Sequence, residues 1–497
     1  MHLHAGIITS MESETDTSSR FAYPRRWMAG LSLVFALVHA VYYGLGIIYN
    51  RGTLVEVMHF ADPELLRTRL WETLWYLHIQ PPLMNLFVGL VLKCVTWDRP
   101  VFMALYLVMG LTLYLSVFVL QVRLGVGKPW AAVSSTVFMA SPSFILWENY
   151  LMYTLPCAAL LAVAALCLFD VLERGSGRAA AGFFWALFAL CAMRSMFHLG
   201  YFVLALGALL WCMKTCRRKI LIAALVPLLL LSGLYAKNYV IFGEFGVCSF
   251  VGKNLWIMTA GNMRWADKAR LIDEGKISPL SFINRWDSLD SYPAKFREVP
   301  PRFQKIPVLS QEHKTNGAVN YNHYGNIAIN KIYGKDAWYV LMHQPRVYLL
   351  SLAVSGYRYF KSSSALPVSL ENQVRISWIT IFYDYAVYGK CPFDLAPYLR
   401  IVERTGDQPY FFLLIGLPLV WVHGLYRVFW PGRLALSIPQ RGVLFFLCFT
   451  ILMVAVLGCA LDFTDGARYR FKTDAYSIAL LGVLLANFRF RHPASLR

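Results

Sequence analysis

Long runs of apolar residues without a charge recur through this chain. Each run has roughly 14 to 22 residues, close to the number that a helix needs to cross the hydrocarbon core of a bilayer. Charged residues are 15% of the 497 residues, whereas a soluble domain has about 25%. The sequence therefore excludes an ordinary cytosolic enzyme and predicts an all-α polytopic membrane protein.

The apolar runs predict a bundle of about ten transmembrane helices. The first run follows Arg25 and Arg26, is too long for a cleaved signal peptide and lacks a small-residue cleavage site. We therefore expect a retained anchor with the N-terminus inside the cell. The predicted spans cover residues 27–48, 101–120, 130–147, 151–169, 180–193, 197–213, 219–236, 410–429, 443–461 and 475–488.

The chain is strongly basic, with 47 Lys and Arg against 28 Asp and Glu and a net charge of +19. Nucleic acid is excluded as a partner, because these residues form no single basic patch of the kind that binds phosphate backbones. They flank the apolar runs instead, as the cytoplasmic loops of membrane proteins do. The clusters are Arg25 and Arg26, Arg174 and Arg178, Lys214 to Lys219, and Arg489 and Arg491.

The short apolar segment 81–95 has two alternative placements. If it crosses the membrane, the loop with Arg123 and Lys128 moves outside and the basic loops lose their common side. If it dips into the membrane or lies at its surface, every basic loop stays inside. The positive-inside rule favours a membrane-dipping helix that begins at Pro81 and Pro82.

This topology predicts four parts of the chain. The middle of the third part, residues 337–360, is predicted to form two interfacial helices broken at Pro345, because aromatic residues alternate there with arginines. The parts are a cytoplasmic tail (1–26), an N-terminal transmembrane bundle (27–236) with a first outer loop (50–100), an extracytoplasmic module (237–409), and the C-terminal transmembrane helices and tail (410–497).

Acidic residues are scarce, and the first outer loop holds several of them, including Glu56 and Asp62. A fixed carboxylate at a membrane surface can act as a general base or hold a divalent cation against a phosphate. Asp62 has an alternative role, because it precedes Pro63 and can cap the following helix. Farther along this loop, His78 and Gln80 precede the rigid Pro81–Pro82 turn and are candidates for positioning a substrate.

Two tight outer connections carry polar residues between apolar runs. Glu148 and Asn149 must lie at the membrane surface, because deep burial without a partner is unfavourable. Arg194 lies outside, against the positive-inside trend. We predict that Arg194 binds a phosphate or Glu148, and simple snorkelling is the alternative.

The last outer segment, LDFTDGARYRFKTDAYS, places Arg468, Arg470 and Lys472 within five residues. Arginine guanidinium groups match phosphate oxygens, so these cations are a candidate phosphate clamp. In an extended backbone Arg468 and Arg470 would point to the same side. The alternative is a solvated charge run that pairs with lipid headgroups.

Two further groups of residues lie in the large outer region. Most cysteines fall in apolar runs, but Cys248 and Cys391 do not, and a disulfide between them is left open. The VNYNHYG segment can contact a sugar or cap the helix that follows it, and the cap is favoured; its polar residues are Asn320, Asn322, His323 and Tyr324.

In layout, most of the chain resembles the GT-C glycosyltransferases, in particular the bacterial branch related to protein O-mannosyltransferases and aminoarabinose transferases. In sequence the resemblance rests on a PPL-type turn at Pro81 and on the ARYRFKTDAY block. Gln80 stands where the family has a Lys before this turn. The resemblance therefore implies that Arg468 and Arg470, with Arg194, hold the donor phosphate.

The resemblance further implies a donor sugar carried on a polyprenyl phosphate and an acceptor hydroxyl on a glycan, lipid or protein. Asp62 is the expected base, and Glu148 and Glu56 are the other acid candidates. Contacts to substrate are expected from His78, Gln80 and Asn149. A divalent cation, Mg²⁺ or Mn²⁺, is left open, and the expected location is a bacterial inner membrane with the active site outside.

Two other functions remain open from the sequence. A polytopic transporter would carry charged or broken-helix features near the middle of its spans, whereas the predicted spans carry almost no acid. Another transferase or ligase acting on lipid-linked glycans is the second alternative. Release of sugar from a lipid-linked donor distinguishes a transferase from a transporter.

Overall fold

The computed structural model describes residues 24–365, 369–430 and 436–489. Within these residues the chain is all-helical and has no strand, which confirms the predicted class. Nearly all of the predicted cytoplasmic tail, together with Arg491, lies outside the described residues.

The first half of the chain forms a series of helices that we number from the N-terminus. They are α1 (Arg25–Gly44), α2 (Thr53–Glu56), α3 (Pro63–Thr68), α4 (Leu70–Tyr76), α5 (Leu83–Cys94), α6 (Asp98–Arg123), α7 (Lys128–Met139), α8 (Pro142–Glu148), α9 (Thr154–Arg174), α10 (Gly177–Met193), α11 (Leu199–Cys212) and α12 (Arg217–Phe242).

The second half begins with short helices and ends with two long ones. They are α13 (Val251–Met258), α14 (Trp265–Asp273), α15 (Pro307–Ser310), α16 (Gly325–His343), α17 (Pro345–Tyr359), α18 (Leu370–Arg375), α19 (Ser377–Phe382), α20 (Arg400–Thr405), α21 (Leu417–Phe429), α22 (Ile438–Leu461) and α23 (Gly466–Arg489). The break between α16 and α17 at Pro345 is where the sequence predicts it.

Six of the described helices are long and apolar enough to cross a membrane, or seven when the bent pair α7 and α8 is counted as one span. The predicted number was about ten. Helices α10 and α11 have 17 and 14 residues, fewer than the roughly 20 of a full span. Helix α23 has charged residues in its first two turns and is not among the six.

Helix α5 is the segment that was predicted to dip into the membrane. Its 12 residues extend about 18 Å at 1.5 Å per residue, well short of a hydrocarbon core about 30 Å thick. Its buried residue Asn85 accepts a hydrogen bond from the Ala61 amide (2.8 Å) and donates one to the His59 carbonyl (3.1 Å). Helix α5 therefore holds the first outer loop in place.

Helix α9 lies at the centre of the bundle and packs against α6, α10, α22 and α23. A second apolar core forms outside the bundle between α13 and α16 and includes Trp256 and Tyr333. This second core lies within the segment predicted as the extracytoplasmic module. The Cys248–Cys391 disulfide does not form, since both cysteines are free.

The second core contains Lys253, which is 0% exposed. Its ammonium group donates a hydrogen bond to the Asn326 side chain (3.1 Å) and lies within 6.0 Å of the rings of Phe250, Tyr292, Tyr321 and Tyr333. Burial lowers the pKa of Lys253 to about 7. The folded protein thus binds fewer protons at this lysine than the unfolded chain does.

We expect Lys253→Met to raise the melting temperature at pH 7 by about 2 °C or more. Because the pKa is lowered on folding, the wild-type protein gains stability as the pH rises from about 7 towards the ordinary lysine value of 10.5. When thermal unfolding is measured across this pH range, the melting temperature should rise less with pH in the variant than in the wild-type protein. Lys335→Met, at an exposed position of α16, is the control; an equal change there would contradict the prediction.

Candidate functional site

Arg194 lies in the tight connection between α10 and α11, where the backbone becomes extended and ends α10. Its side chain is 7% exposed. It donates hydrogen bonds to the Gln80 side chain (3.3 Å) and to the Tyr469 hydroxyl (2.9 Å). The structure therefore joins two of the predicted site residues, Arg194 and Gln80, to the start of α23.

The start of α23 is helical, so the extended stretch that would point Arg468 and Arg470 to the same side does not occur. On a helix, residues four apart share a face, whereas residues two apart point in different directions. Arg468 and Lys472 thus lie on one face of α23, and Arg470 points elsewhere.

Arg470 has a separate set of partners. Its guanidinium pairs with Asp474 (3.0 Å) and donates to the carbonyls of Tyr359 (3.1 Å) and Lys361 (2.7 Å). It is 1% exposed. These contacts tie α23 to the end of α17, so we replace Arg470 by Lys472 as the second cation of the candidate phosphate site.

Arg194, Arg468 and Lys472 form what we call the cationic cluster. All three cations lie within 6.0 Å of the rings of Tyr153 and Tyr469. Lys472 is 0% exposed, and its Nζ has no hydrogen-bond partner among the described residues. A buried ammonium without a partner is unfavourable, so an anion bound beside Lys472 would favour its charged form.

The acidic residues beside the cluster neutralise only part of its charge. Asp465 forms an ion pair with Arg468 and keeps a side chain that is 33% exposed. Asp462 accepts a hydrogen bond from the Tyr469 hydroxyl (2.9 Å). Burial alone would raise the pKa of Asp462, but Arg285 and Arg468 hold it below the usual value. Two carboxylates thus face four arginine and lysine side chains: Arg194, Arg285, Arg468 and Lys472.

His59 lies over the cluster, with its ring 5.2 Å from that of Tyr153. Burial, together with the charges of Arg194, Arg468 and Lys472, lowers the pKa of His59 well below its ordinary value. The imidazole is therefore neutral at pH 7 and adds no charge. Its Nδ1 has no partner among the described residues and is free to contact a ligand.

Asp62 caps α3, as one of the two sequence hypotheses states. It accepts hydrogen bonds from the amide of Glu64 (3.0 Å), the amide of Thr315 (2.7 Å) and the Thr315 hydroxyl (2.8 Å). The neighbouring Lys314 donates to the Val57 carbonyl (3.3 Å). Asp62 thus fastens the first outer loop to a segment about 250 residues later.

We expect Asp62→Asn to lower the free energy of unfolding by roughly 1–3 kcal/mol, since the amide nitrogen that replaces Oδ2 cannot accept the bond from the Thr315 amide. Thermal unfolding of the purified variant in detergent measures this. Glu64→Gln, with its exposed side chain, is the control. A variant with unchanged stability but lost activity would instead favour the catalytic role of Asp62.

The other predicted site residues have structural partners. His78 bridges the Ser249 hydroxyl (2.7 Å) and the Asn322 carbonyl (2.9 Å). Asn149 accepts a hydrogen bond from Tyr43 (3.1 Å). Glu148 pairs with His39 of α1 inside the bundle and does not contact Arg194. The Glu56 side chain lies outside the described residues.

The VNYNHYG segment hydrogen-bonds to the start of α16 through one side chain, that of His323, and Tyr324 at the N-cap makes no side-chain cap bond. His323 accepts a hydrogen bond from the Gly325 amide (3.1 Å) at the start of α16, and Asn320 donates to the carbonyls of Val308 (3.0 Å) and Gln311 (2.7 Å). The Asn322 side chain accepts from the Ile79 amide (3.5 Å). The side chains of Asn320 and Asn322 thus bind backbone groups of neighbouring segments.

A groove of about 610 Å³ reaches the cationic cluster at Arg194, the member of the cluster that lines it. Arg194 and Tyr469 line one part of it, and Asn254 of α13 lines another. The rest of its wall is mostly apolar. It comes from α11, α12, α13, α22 and the loops 195–198 and 245–248, and includes Leu199, Val203, Tyr235, Leu457 and Leu461. The groove combines a charged end with walls suited to a lipid tail.

The described residues beside the cationic cluster include no group of three metal ligands among His, Cys, Asp and Glu. The two carboxylates beside the cluster are engaged by Tyr469 and Arg468, and the cationic cluster repels a second cation. The positive charge at this site comes from the chain itself.

Sequence reasoning missed Arg285, Tyr153 and the choice of Lys472 over Arg470. Arg285 is 3% exposed and donates to Asn254 (3.3 Å), which lines the groove. No motif connects Arg285 with α23 along the chain. For Lys472 a signal was present, because Arg468 and Lys472 are spaced as neighbours on a helix.

No protein-family model, curated protein or solved structure matches this chain.

Proposed function

We propose that this protein is a membrane glycosyltransferase that moves a sugar from a polyprenyl-phosphate donor to an acceptor hydroxyl on the extracytoplasmic face. The observation that carries the proposal is the buried cationic cluster, which a groove with mostly apolar walls reaches at Arg194. Such a groove suits a lipid whose headgroup is an anion, and phosphate oxygens match the donors of Arg194, Arg468 and Lys472.

The lipid tail would follow the seam between α11 and α22. The groove uses Val203 and Leu457 of these helices, and a second apolar cavity of about 330 Å³ continues along them past Leu204 and Phe449. We propose about ten membrane crossings. Helices α10, α11 and α23 complete the bundle in addition to the candidate spans. The basic loops then lie inside and the cluster outside, in a bacterial inner membrane.

In the proposed reaction the acceptor oxygen attacks the anomeric carbon of the donor sugar. The bond between that carbon and the phosphate oxygen breaks, and polyprenyl phosphate leaves with the bonding electron pair. The acceptor proton passes to a carboxylate. The developing negative charge on the phosphate is stabilised by Arg194, Arg468 and Lys472, which are already oriented by Tyr153 and Tyr469.

Two carboxylates are candidates for the base. Asp62 is the base that the resemblance implies, but its oxygens already accept three hydrogen bonds. Asp465 pairs with Arg468 through one carboxylate oxygen, and its side chain is 33% exposed, so its other oxygen is proposed to take the acceptor proton. We propose Asp465 as the alternative to Asp62, and variants of both residues distinguish them.

The test uses the purified full-length protein with radiolabelled polyprenyl-phosphate sugars and measures sugar transfer or release. Arg194→Gln should lower turnover about 100-fold, since it removes charge stabilisation inside a site shielded from water. Arg178→Gln, at an exposed position of α10 far along the helix from Arg194, should keep wild-type turnover. Equal turnover by all three proteins would contradict the proposed site.

One observation favours a transporter as the second candidate. His39 and Glu148 form a buried ion pair inside the bundle, and Glu148 ends α8, which is bent by 61° from α7. Buried ionisable residues and broken helices are common at transport sites. Lipid-independent solute flux into proteoliposomes, with the lipid-linked donor left intact and flux lost in Glu148→Gln, would place the transporter first.

A further inference from the structure

A second group of cations lines a cleft where α16 ends and α17 begins. This cleft has a volume of about 800 Å³. Four arginines line it, namely Arg264, Arg346, Arg358 and Arg404. The one acidic residue among its described lining residues is Asp267, which pairs with Arg264 (2.9 Å). The cleft therefore keeps a large excess of positive charge, and we call it the basic cleft.

The arginines of the basic cleft are available to a ligand. Arg346 and Arg404 are exposed and have no ion-pair partner in the part of the chain that the structure describes. Arg358 donates to the carbonyl of Phe463 (3.1 Å) and stacks over its ring at 4.7 Å. Asp407, which pairs with Lys361, also interacts with the charge of Arg358, so the two charges at the cleft without an acidic partner among the described residues are those of Arg346 and Arg404.

The basic cleft lies at the end of a membrane-spanning helix. The Tyr348 hydroxyl of α17 donates to the carbonyl of Ala460 (3.2 Å), and the Ser355 hydroxyl donates to that of Asp462 (2.6 Å). Helix α22, a candidate span, ends between them at Leu461. Helix α17 therefore lies where the chain leaves the membrane, at the level of lipid headgroups.

The helices beside the cleft also expose apolar side chains. Leu349 and Leu350 of α17 are 59% and 43% exposed, and Trp338 and Met342 of α16 are 59% and 60% exposed. An interfacial helix buries such residues in the outer part of a leaflet while its cations stay among the headgroups. The basic cleft and these apolar residues thus match the two parts of a phospholipid.

We propose that the basic cleft binds the phosphate of an anionic phospholipid, separately from the cationic cluster and independently of the glycosyltransferase function. Guanidinium groups of Arg346, Arg358 and Arg404 bind the phosphate oxygens. The acyl chains extend past Leu350 into the leaflet. A free phosphate ion shares the headgroup chemistry but not the contact with Leu350, which makes the two ligands distinguishable.

The test measures lipid binding to the full-length protein by native mass spectrometry in a mild detergent. The probes are phosphatidylglycerol and phosphatidylcholine at equal concentration. The wild-type protein should retain phosphatidylglycerol in preference to phosphatidylcholine, and Arg346→Gln/Arg404→Gln should bind phosphatidylglycerol about tenfold less tightly. Arg270→Gln, which alters an exposed arginine of α14 outside the cleft lining, is the matched control and should bind as wild type does.

Three results would overturn the proposal. If the double variant bound phosphatidylglycerol as tightly as wild type does, Arg346 and Arg404 would not form the site. If Arg270→Gln lost as much affinity as the double variant, only the overall charge of the protein would matter. Inorganic phosphate that binds wild type as tightly as phosphatidylglycerol would make the site a phosphate-ion site. Folding of the double variant is checked by its melting temperature, and Leu350→Ser tests the acyl contact without changing charge.

Discussion

Lys472→Met is expected to lower donor turnover by about 100-fold while leaving the protein at least as thermally stable as wild type. The ammonium group of Lys472 is fully buried and has no hydrogen-bond partner among the described residues. Burial of an unpaired charge is unfavourable for folding, so the uncharged side chain of similar length removes a penalty. In the reaction the same charge would stabilise the leaving phosphate.

The measurement pairs turnover of the radiolabelled donor with the melting temperature in the same detergent. Lys253→Met is the matched control, because Lys253 is equally buried but lies among the rings of the second core and has Asn326 as a partner. Turnover by Lys253→Met should stay within about twofold of wild type, which corresponds to a change of less than about 0.5 kcal/mol in the activation free energy. Wild-type turnover in Lys472→Met would exclude Lys472 from the phosphate site.

Arg470→Met is expected to lower the free energy of unfolding by roughly 3–5 kcal/mol, the range for breaking one side of a buried ion pair. Arg470 pairs with Asp474 and also satisfies two carbonyls at the end of α17. The substitution leaves these acceptors without their donor and weakens the contact between α17 and α23. Denaturant or thermal unfolding in detergent measures the change.

Arg468→Met on the same helix is the comparison for Arg470→Met. Arg468 has one ion pair, with the partly exposed Asp465, so we expect a smaller loss of stability and a larger loss of turnover. The two arginines, two residues apart, should therefore separate into a binding role and a structural role. A stable Arg470→Met protein without turnover would return Arg470 to the phosphate site.

Much of the local architecture could be predicted from the sequence. Apolar runs predict helices by composition alone, and the prolines at residues 81, 82 and 345 begin or break helices because proline fixes φ and lacks an amide proton. Arg194 stood out because a cation on the outer side departs from the positive-inside trend. The structure brings Arg194 together with Gln80 and with α23.

The number of membrane crossings was harder to predict from the sequence than the positions of the helices. Helices α10 and α11 are apolar but short, and the charges of α23 point into the protein, where Lys472 and Arg470 are almost fully buried. Composition alone does not distinguish a charged outer loop from a helix whose charged residues face other parts of the chain. The alternation of Arg468 and Arg470 with aromatic residues would place both cations on one side of an extended segment, but this segment is helical.

The sequence by itself determined that the chain is helical and suited to a bilayer, because these properties depend on the polarity of consecutive residues. Only the tertiary structure decided which partners the charged side chains contact. Asp62 meets Thr315, and Arg194 meets Tyr469, although long segments of chain separate them. Such partners depend on how helices pack and on the direction of each side chain around its helix, and neither is encoded in a short stretch of residues.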